Sequence, residues 1–270
     1  MAGNLETWNN AAKGIQSAAN QLLWDAELSL YRNDETSTLY PQDGNAWAVM
    51  GNLTATDSQA KQITRSLRDR WGQYGAPAPE AGRGTISPFV SGLELQAHYQ
   101  VGDAGSALDL MRLEWGFMLN DPRMTNSTLI EGYSTNGSLH YAPYTNDARV
   151  SHAHGWSAGP TFALTQYAAG MQLLDAAGAE WLIAPQPGDL GHVDAGLATT
   201  RGQFAISWSK EPKGSQYRKL SISAPDDTRG SVVLPGTEGS LVEQLNGTHV
   251  PLINGEARGL SGGCWRLELH

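Results

Sequence analysis

The sequence has one cysteine, Cys264, in 270 residues. That excludes an intrachain disulfide and any multi-thiolate metal site. Its setting, Gly-Gly-Cys-Trp-Arg-Leu in an alternating stretch, predicts a small buried thiol and not a nucleophile. Basic residues are also scarce: 18 Lys and Arg stand against 27 Asp and Glu, a formal net charge of −9. Nucleic acid and anionic membranes need a basic footprint, so neither is an expected partner. No apolar run approaches the roughly 20 residues that span a bilayer. The first residues lack the basic head and apolar core of a signal peptide. Missing too are the G-x-x-x-x-G-K-[ST] phosphate loop, the G-x-G-x-x-G fingerprint, the H-E-x-x-H zinc motif and the G-x-S-x-G elbow, and no cofactor is expected.

What is present is a composition of 40% hydrophobic and 17% charged residues, which predicts a folded chain with a sizeable core. Asn-x-Ser/Thr triplets at Asn52, Asn126, Asn136 and Asn246 would fit an extracellular origin. The compartment is otherwise open.

The pattern of apolar residues divides the chain. Leu5, Trp8, Ala12, Ile15, Ala19, Leu22 and Leu23 form a stripe at helical spacing. A second stripe, Ala60, Ile63, Leu67 and Trp71, has Asp57 placed to cap it, and a third runs Leu108, Met111, Trp115, Met118. Shorter helices are predicted over 45–51, 89–101 and 162–174. After about Glu180 the period becomes two, as in Gln203-Phe-Ala-Ile-Ser-Trp-Ser, with hairpin dipeptides at Asn246-Gly247 and Asn254-Gly255. Helices followed by strands exclude a doubly wound fold and predict an antiparallel sandwich at the C-terminal end. Trp24, Trp47, Trp115 and Trp208 read as core aromatics.

The polar, aromatic-studded loop 125–150 is long enough to suggest a functional role. Thr128-Leu-Ile-Glu131-Gly-Tyr133 lies within it, and Ser151-His152-Ala-His154-Gly-Trp156 follows. Together they supply a carboxylate, two imidazoles, an indole and the tyrosines Tyr133, Tyr141 and Tyr144. This is the usual inventory of a sugar site: aromatic faces stack on the C–H face of a pyranose while polar groups bond its hydroxyls. His152 and His154 alone fall short of the three or four ligands of a zinc site, so no metal is expected.

At these residues the sequence resembles the α-L-rhamnosidase-like six-hairpin glycosidases, the fungal type above all. Thr128-Leu-Ile-Glu131 and Ser151-His-Ala-His154-Gly-Trp156-Ser-Ala-Gly-Pro160 carry the resemblance. Tyr40-Pro-Gln-Asp43-Gly-Asn45 and Ile86-Ser-Pro-Phe89-Val-Ser-Gly-Leu-Glu94-Leu resemble upstream landmarks. Ala184-Pro-Gln-Pro-Gly-Asp189-Leu and Thr199-Thr-Arg-Gly-Gln-Phe resemble the exit into a C-terminal β-sandwich. The resemblance implies an α+β multidomain fold: a partial α/α toroid over 1–180, then an antiparallel β-sandwich over 181–270. It implies inverting hydrolysis of terminal α-L-rhamnosides with Glu131 as general base. His154 and Trp156 fall on sugar-contacting positions, and His152, Asp43, Glu94 and Tyr133 join them as substrate-binding candidates. The family's general acid lies in an Arg-rich segment that is not among these residues. Three readings follow: a piece of a longer hydrolase, a non-hydrolytic sugar- or small-molecule-binding paralogue, or a chain that self-associates through the open side of the toroid.

Overall fold

The computed structural model describes residues 2–210 and 216–269 and separates into two compact units, Met1–Pro160 and Thr161–His270. The division falls twenty residues before the change of period at 180. The reason is local: the predicted helix over 162–174 stops early. It runs as α-helix over Gly159–Ala163 and as a π-turn over Leu164–Ala168, and Met171–Leu173 is already a strand.

The first unit is mainly helical. Helix α1 spans Ala2–Leu22, β1 Trp24–Asp25 and β2 Leu30–Tyr31 form a small hairpin, and α2 spans Gln42–Met50. Helix α3 (Asp57–Arg68) precedes β3 (Thr85–Ile86) and α4 (Pro88–Gln100). Next come α5 (Ala104–Leu110), a π-turn over Met111–Trp115, α6 (Gly116–Asn120) and β4 (Tyr133–Ser134), which pairs with β3. The helix Gly159–Ala163, already described, is α7.

The sequence pattern explains much of this. In α3, Ala60, Ile63 and Leu67 are buried as their spacing requires, against Ala46, Val49 and Ala97. Its cap is Thr56, one residue before the expected Asp57: the Thr56 side chain accepts from the Gln59 amide at 3.1 Å. Pro41 offers α2 no side-chain cap, and Glu80 supplies one from a distant turn. Its two carboxylate oxygens accept the amides of Gln42 and Asp43 at 2.9 and 3.0 Å. Buried Asn45 ties α2 to β2, accepting from the Tyr31 amide and donating to the Tyr31 and Pro41 carbonyls.

Two packing expectations are corrected. The α1 stripe is not core: Leu5, Trp8, Ile15 and Leu22 are exposed, and of the stripe only Ala19 is buried. The helix is held near its end by Gln16 and Asn20, whose amides donate to the carbonyls of Asn52, Thr54 and Leu53. Trp115 and Trp208 are buried as core aromatics, but Trp47 is exposed, because it lies on the outer face of α2 opposite Ala46 and Val49.

The second unit is one large sheet. Its strands are β5 (Met171–Leu173), β6 (Glu180–Ile183), β7 (His192–Thr199), β8 (Gly202–Lys210), β9 (Tyr217–Val233), β10 (Gly239–Glu243), β11 (His249–Pro251) and β12 (Glu256–Leu269). The sheet is mixed, where the pattern led us to expect purely antiparallel pairing. Strand β6 runs parallel to the second half of β9, while β8 runs antiparallel to its first half. Strand β9 can serve both because it is 17 residues long and pairs along its length with β12, across two register shifts. Alternate residues Phe204, Ile206 and Trp208 of β8 and Leu220, Ile222 and Ala224 of β9 enter one core with Trp181, Val232 and Trp265. The Asn254-Gly255 turn has φ of +54° and +78°, the left-handed pair that this dipeptide favours. Cys264 is only partly buried, with its thiol 3.8 Å from the Ser223 hydroxyl.

Candidate functional site

Glu131 is held by two chain segments laced side by side. Its amide donates to the Ser151 carbonyl at 2.8 Å, and the His154 amide donates to the Leu129 carbonyl at 2.8 Å. Below them, the buried Ser157 hydroxyl donates to the Ile130 carbonyl, and the Trp115 indole N–H donates to the Ser157 carbonyl. Ile130, 1% exposed, anchors the first segment in the core. Gly132 follows because the Tyr141 ring fills the space: a Cβ there would stand 2.2 Å from a ring carbon.

The carboxylate itself is buried and hydrogen-bonded at both oxygens. Oε1 accepts from the Tyr144 hydroxyl at 2.7 Å, and Oε2 accepts from the Ser151 amide at 3.2 Å. Imidazole Nδ1 of His154 stands 3.7 Å from Oε2. The ring of His154 meets the Trp156 indole at 4.5 Å between centroids, and Trp156 meets Phe89, in the first turn of α4, at 5.0 Å. Trp156 and Phe89 are exposed, so a strip of rings runs outward from the buried carboxylate. The bond to Glu131 holds the Tyr144 phenol above its ordinary pKa, because ionisation would set two negative oxygens face to face.

The structure brings Glu131, His154 and Trp156 together. His152 lies on the same segment, half-buried, its carbonyl accepting from the Thr128 hydroxyl. Tyr133 is not brought to this surface. It is fully buried, donates to the Tyr74 carbonyl at 2.7 Å and packs on Phe117.

Glu94 is likewise an interior residue, 1% exposed. Its oxygens accept from the Trp71 indole at 2.7 Å and the Gln42 amide at 2.6 Å. His98, one turn on, lies 3.5 Å from Glu94 and 3.6 Å from Asp103. Burial alone would lower the His98 pKa, but the carboxylates of Asp103 and Glu94 outweigh it and raise it. Asp43 is half-buried at the start of α2, accepting the Gly44 amide at 2.6 Å.

Three contributors escaped the sequence reading. Glu114 is fully buried beside Ala76, and burial pushes its pKa up to about 8. A lone carboxylate between Leu113 and Trp115 within an apolar stripe was the available signal. Phe89 read as the start of a helix and as part of a landmark, not as a ring of the site, and nothing local marked Trp71 as the partner of Glu94. Among the described residues, no three His, Cys, Asp or Glu side chains gather as a metal site would require. Nor is any described helix long and apolar enough to cross a membrane.

Comparison with known proteins bears on this arrangement. Residues 170–249 match the family model described as bacterial alpha-L-rhamnosidase C-terminal domain. No curated protein matches the chain. Among solved structures, the α-L-rhamnosidase from Dictyoglumus thermophilum matches with a TM-score of 0.67 and 16% identity, over 98% of this chain and 28% of its own. The native α-L-rhamnosidase from Aspergillus terreus gives 0.64 and 18%, over 98% and 27%. The GH78 family rhamnosidase of Bacillus sp. GL1 gives 0.62 and 24%, over 82% and 22%. The chain thus spans about a quarter of the length of these structures.

Residues 170–249 thus match the C-terminal domain of bacterial α-L-rhamnosidases, and the chain as a whole shares its fold with part of the solved α-L-rhamnosidases.

Proposed function

We propose that this chain carries the base side of an α-L-rhamnoside hydrolase active site, with Glu131 as the general base. The helical unit is, on this reading, a sector of an α/α toroid. The observation that supports it most is the setting of Glu131. A buried carboxylate, oriented by two donors, lies 3.7 Å from an imidazole at the head of an exposed aromatic strip. A pyranose would lay its C–H face on Trp156 and offer hydroxyls to His154. The water oxygen then bonds the anomeric carbon as its proton passes to Glu131. The glycosidic C–O bond breaks, and the leaving oxygen takes a proton from a second acid or from solvent. In an inverting pair that acid stands roughly 6.5–9.5 Å from the base. The rhamnosidase from Streptomyces avermitilis, solved complexed with L-rhamnose, shares the fold at 17% identity and a TM-score of 0.62, so this sugar is the ligand to test.

Asp43 stays a candidate for sugar contact, and His152 joins it on the Glu131 side. Glu94 and Tyr133 serve the site by packing. Self-association through the open side of that toroid belongs to the same proposal, and a doubled mass in sedimentation would support it.

The test is Glu131→Gln, assayed by release of an aryl α-L-rhamnoside. Turnover should fall by about 10²–10⁴, the usual worth of a positioned base. Turnover equal to that of the unmodified chain overturns the assignment. Calorimetric binding of L-rhamnose by the unmodified chain without turnover would favour a non-hydrolytic sugar-binding protein.

A further inference from the structure

We propose that Tyr144 is a positioning residue that holds Oε1 of Glu131, leaving Oε2, beside His154, as the oxygen that accepts the proton from water. The inference rests on Glu131 being the base and names the residue that aims it. A carboxylate on a flexible side chain has two competent oxygens, and a base works best when one is already directed at the water. Here the phenol takes Oε1 at 2.7 Å, while the imidazole lies on the Oε2 side.

The loop around Tyr144 is built to deliver it. His140 and Asp147 close the loop with a 2.6 Å contact between Nδ1 and Oδ1, and Tyr144 sits between them. A turn within that span, with the Tyr144 amide donating to the Tyr141 carbonyl at 2.9 Å, points both rings back toward the Glu131 segment. Their centroids are 5.8 Å apart. Tyr141 fills the space over Gly132, and Tyr144 reaches the carboxylate. The neighbouring charged and titratable groups are His154 beside Oε2, Tyr141 and Arg149. None of them replaces the phenol as donor to Oε1.

The test is Tyr144→Phe, which keeps the ring and its packing and removes only the donor to Oε1. With an aryl rhamnoside, kcat per folded protein should fall by about tenfold while KM stays near that of the unmodified chain, because the base is misaimed and the sugar contacts remain. An unchanged kcat overturns the inference. A purely structural role would lower the folded fraction and leave kcat per folded protein in place, which also overturns it. Glu131→Gln separates the two claims. If it retains turnover, the base assignment fails. If it loses turnover while Tyr144→Phe keeps its kcat, only the role of Tyr144 fails.

Discussion

Gly92 and Gly159 meet backbone to backbone: a Cβ on Gly159 would stand 2.6 Å from the Cα of Gly92, and one on Gly92 3.1 Å from the Cα of Gly159. The contact seats α4 against the turn that carries His154 and Trp156. Gly159→Ala forces main chain from main chain, with no flexible side chain to absorb the strain. It should cost about 1–3 kcal/mol in urea unfolding. Gly92→Ala should cost less. A Gly159→Ala protein with an unchanged midpoint would show that the two segments separate freely.

Glu94 is the acceptor for the buried Gln42 side chain and the half-buried Trp71 indole and a neighbour of His98, so its neutralisation has two signatures. Glu94→Gln should destabilise by about 1–3 kcal/mol, because one donor then faces an amide N–H. Gln42 can turn its own unpaired Oε1 toward that amide, which limits the loss, so Glu94→Ala should cost more. In either variant the His98 imidazole loses a carboxylate that raises its pKa, and it should titrate lower by NMR.

Glu114 sets a pH dependence whose sign is fixed by its burial. Folding raises its pKa from an ordinary 4.5 to about 8. Between those values the folded state keeps a proton that the unfolded state has released. Stability from this group is therefore full below about pH 4.5, declines as pH rises and is lost above about 8. Glu114→Gln mimics the protonated acid and should remove that decline. Urea midpoints at either end of the window measure it, and equal slopes for both proteins would rule out Glu114 as the cause.

The sequence disclosed some of this and concealed the rest for physical reasons. Helix α3 was legible because Ala60, Ile63 and Leu67 follow one face, and β8 because Phe204, Ile206 and Trp208 alternate. The α1 stripe looked equally convincing, yet Leu5, Trp8 and Ile15 face solvent. Periodicity reports an amphipathic face, not the presence of something to cover it. The end of α7 was missed because the Leu164–Ala168 π-turn keeps a helical pattern of side chains up to the strand. At the site, Glu131 and His154 are 23 residues apart, and each was legible because it sits in a polar, aromatic motif of its own. Trp71 and Glu94 have the same separation, but Trp71 ends an apolar stripe and nothing local marks it as a donor to Glu94.

The lacing of 129–131 to 151–157 closes a loop whose ends are held by main-chain and Ser157 hydrogen bonds. Residues between them, apart from the buried Tyr133 and from Tyr141 and Tyr144, can be exchanged without displacing the acidic group beneath. Natural variation there would redecorate the lid over a fixed floor, giving one scaffold many mouths.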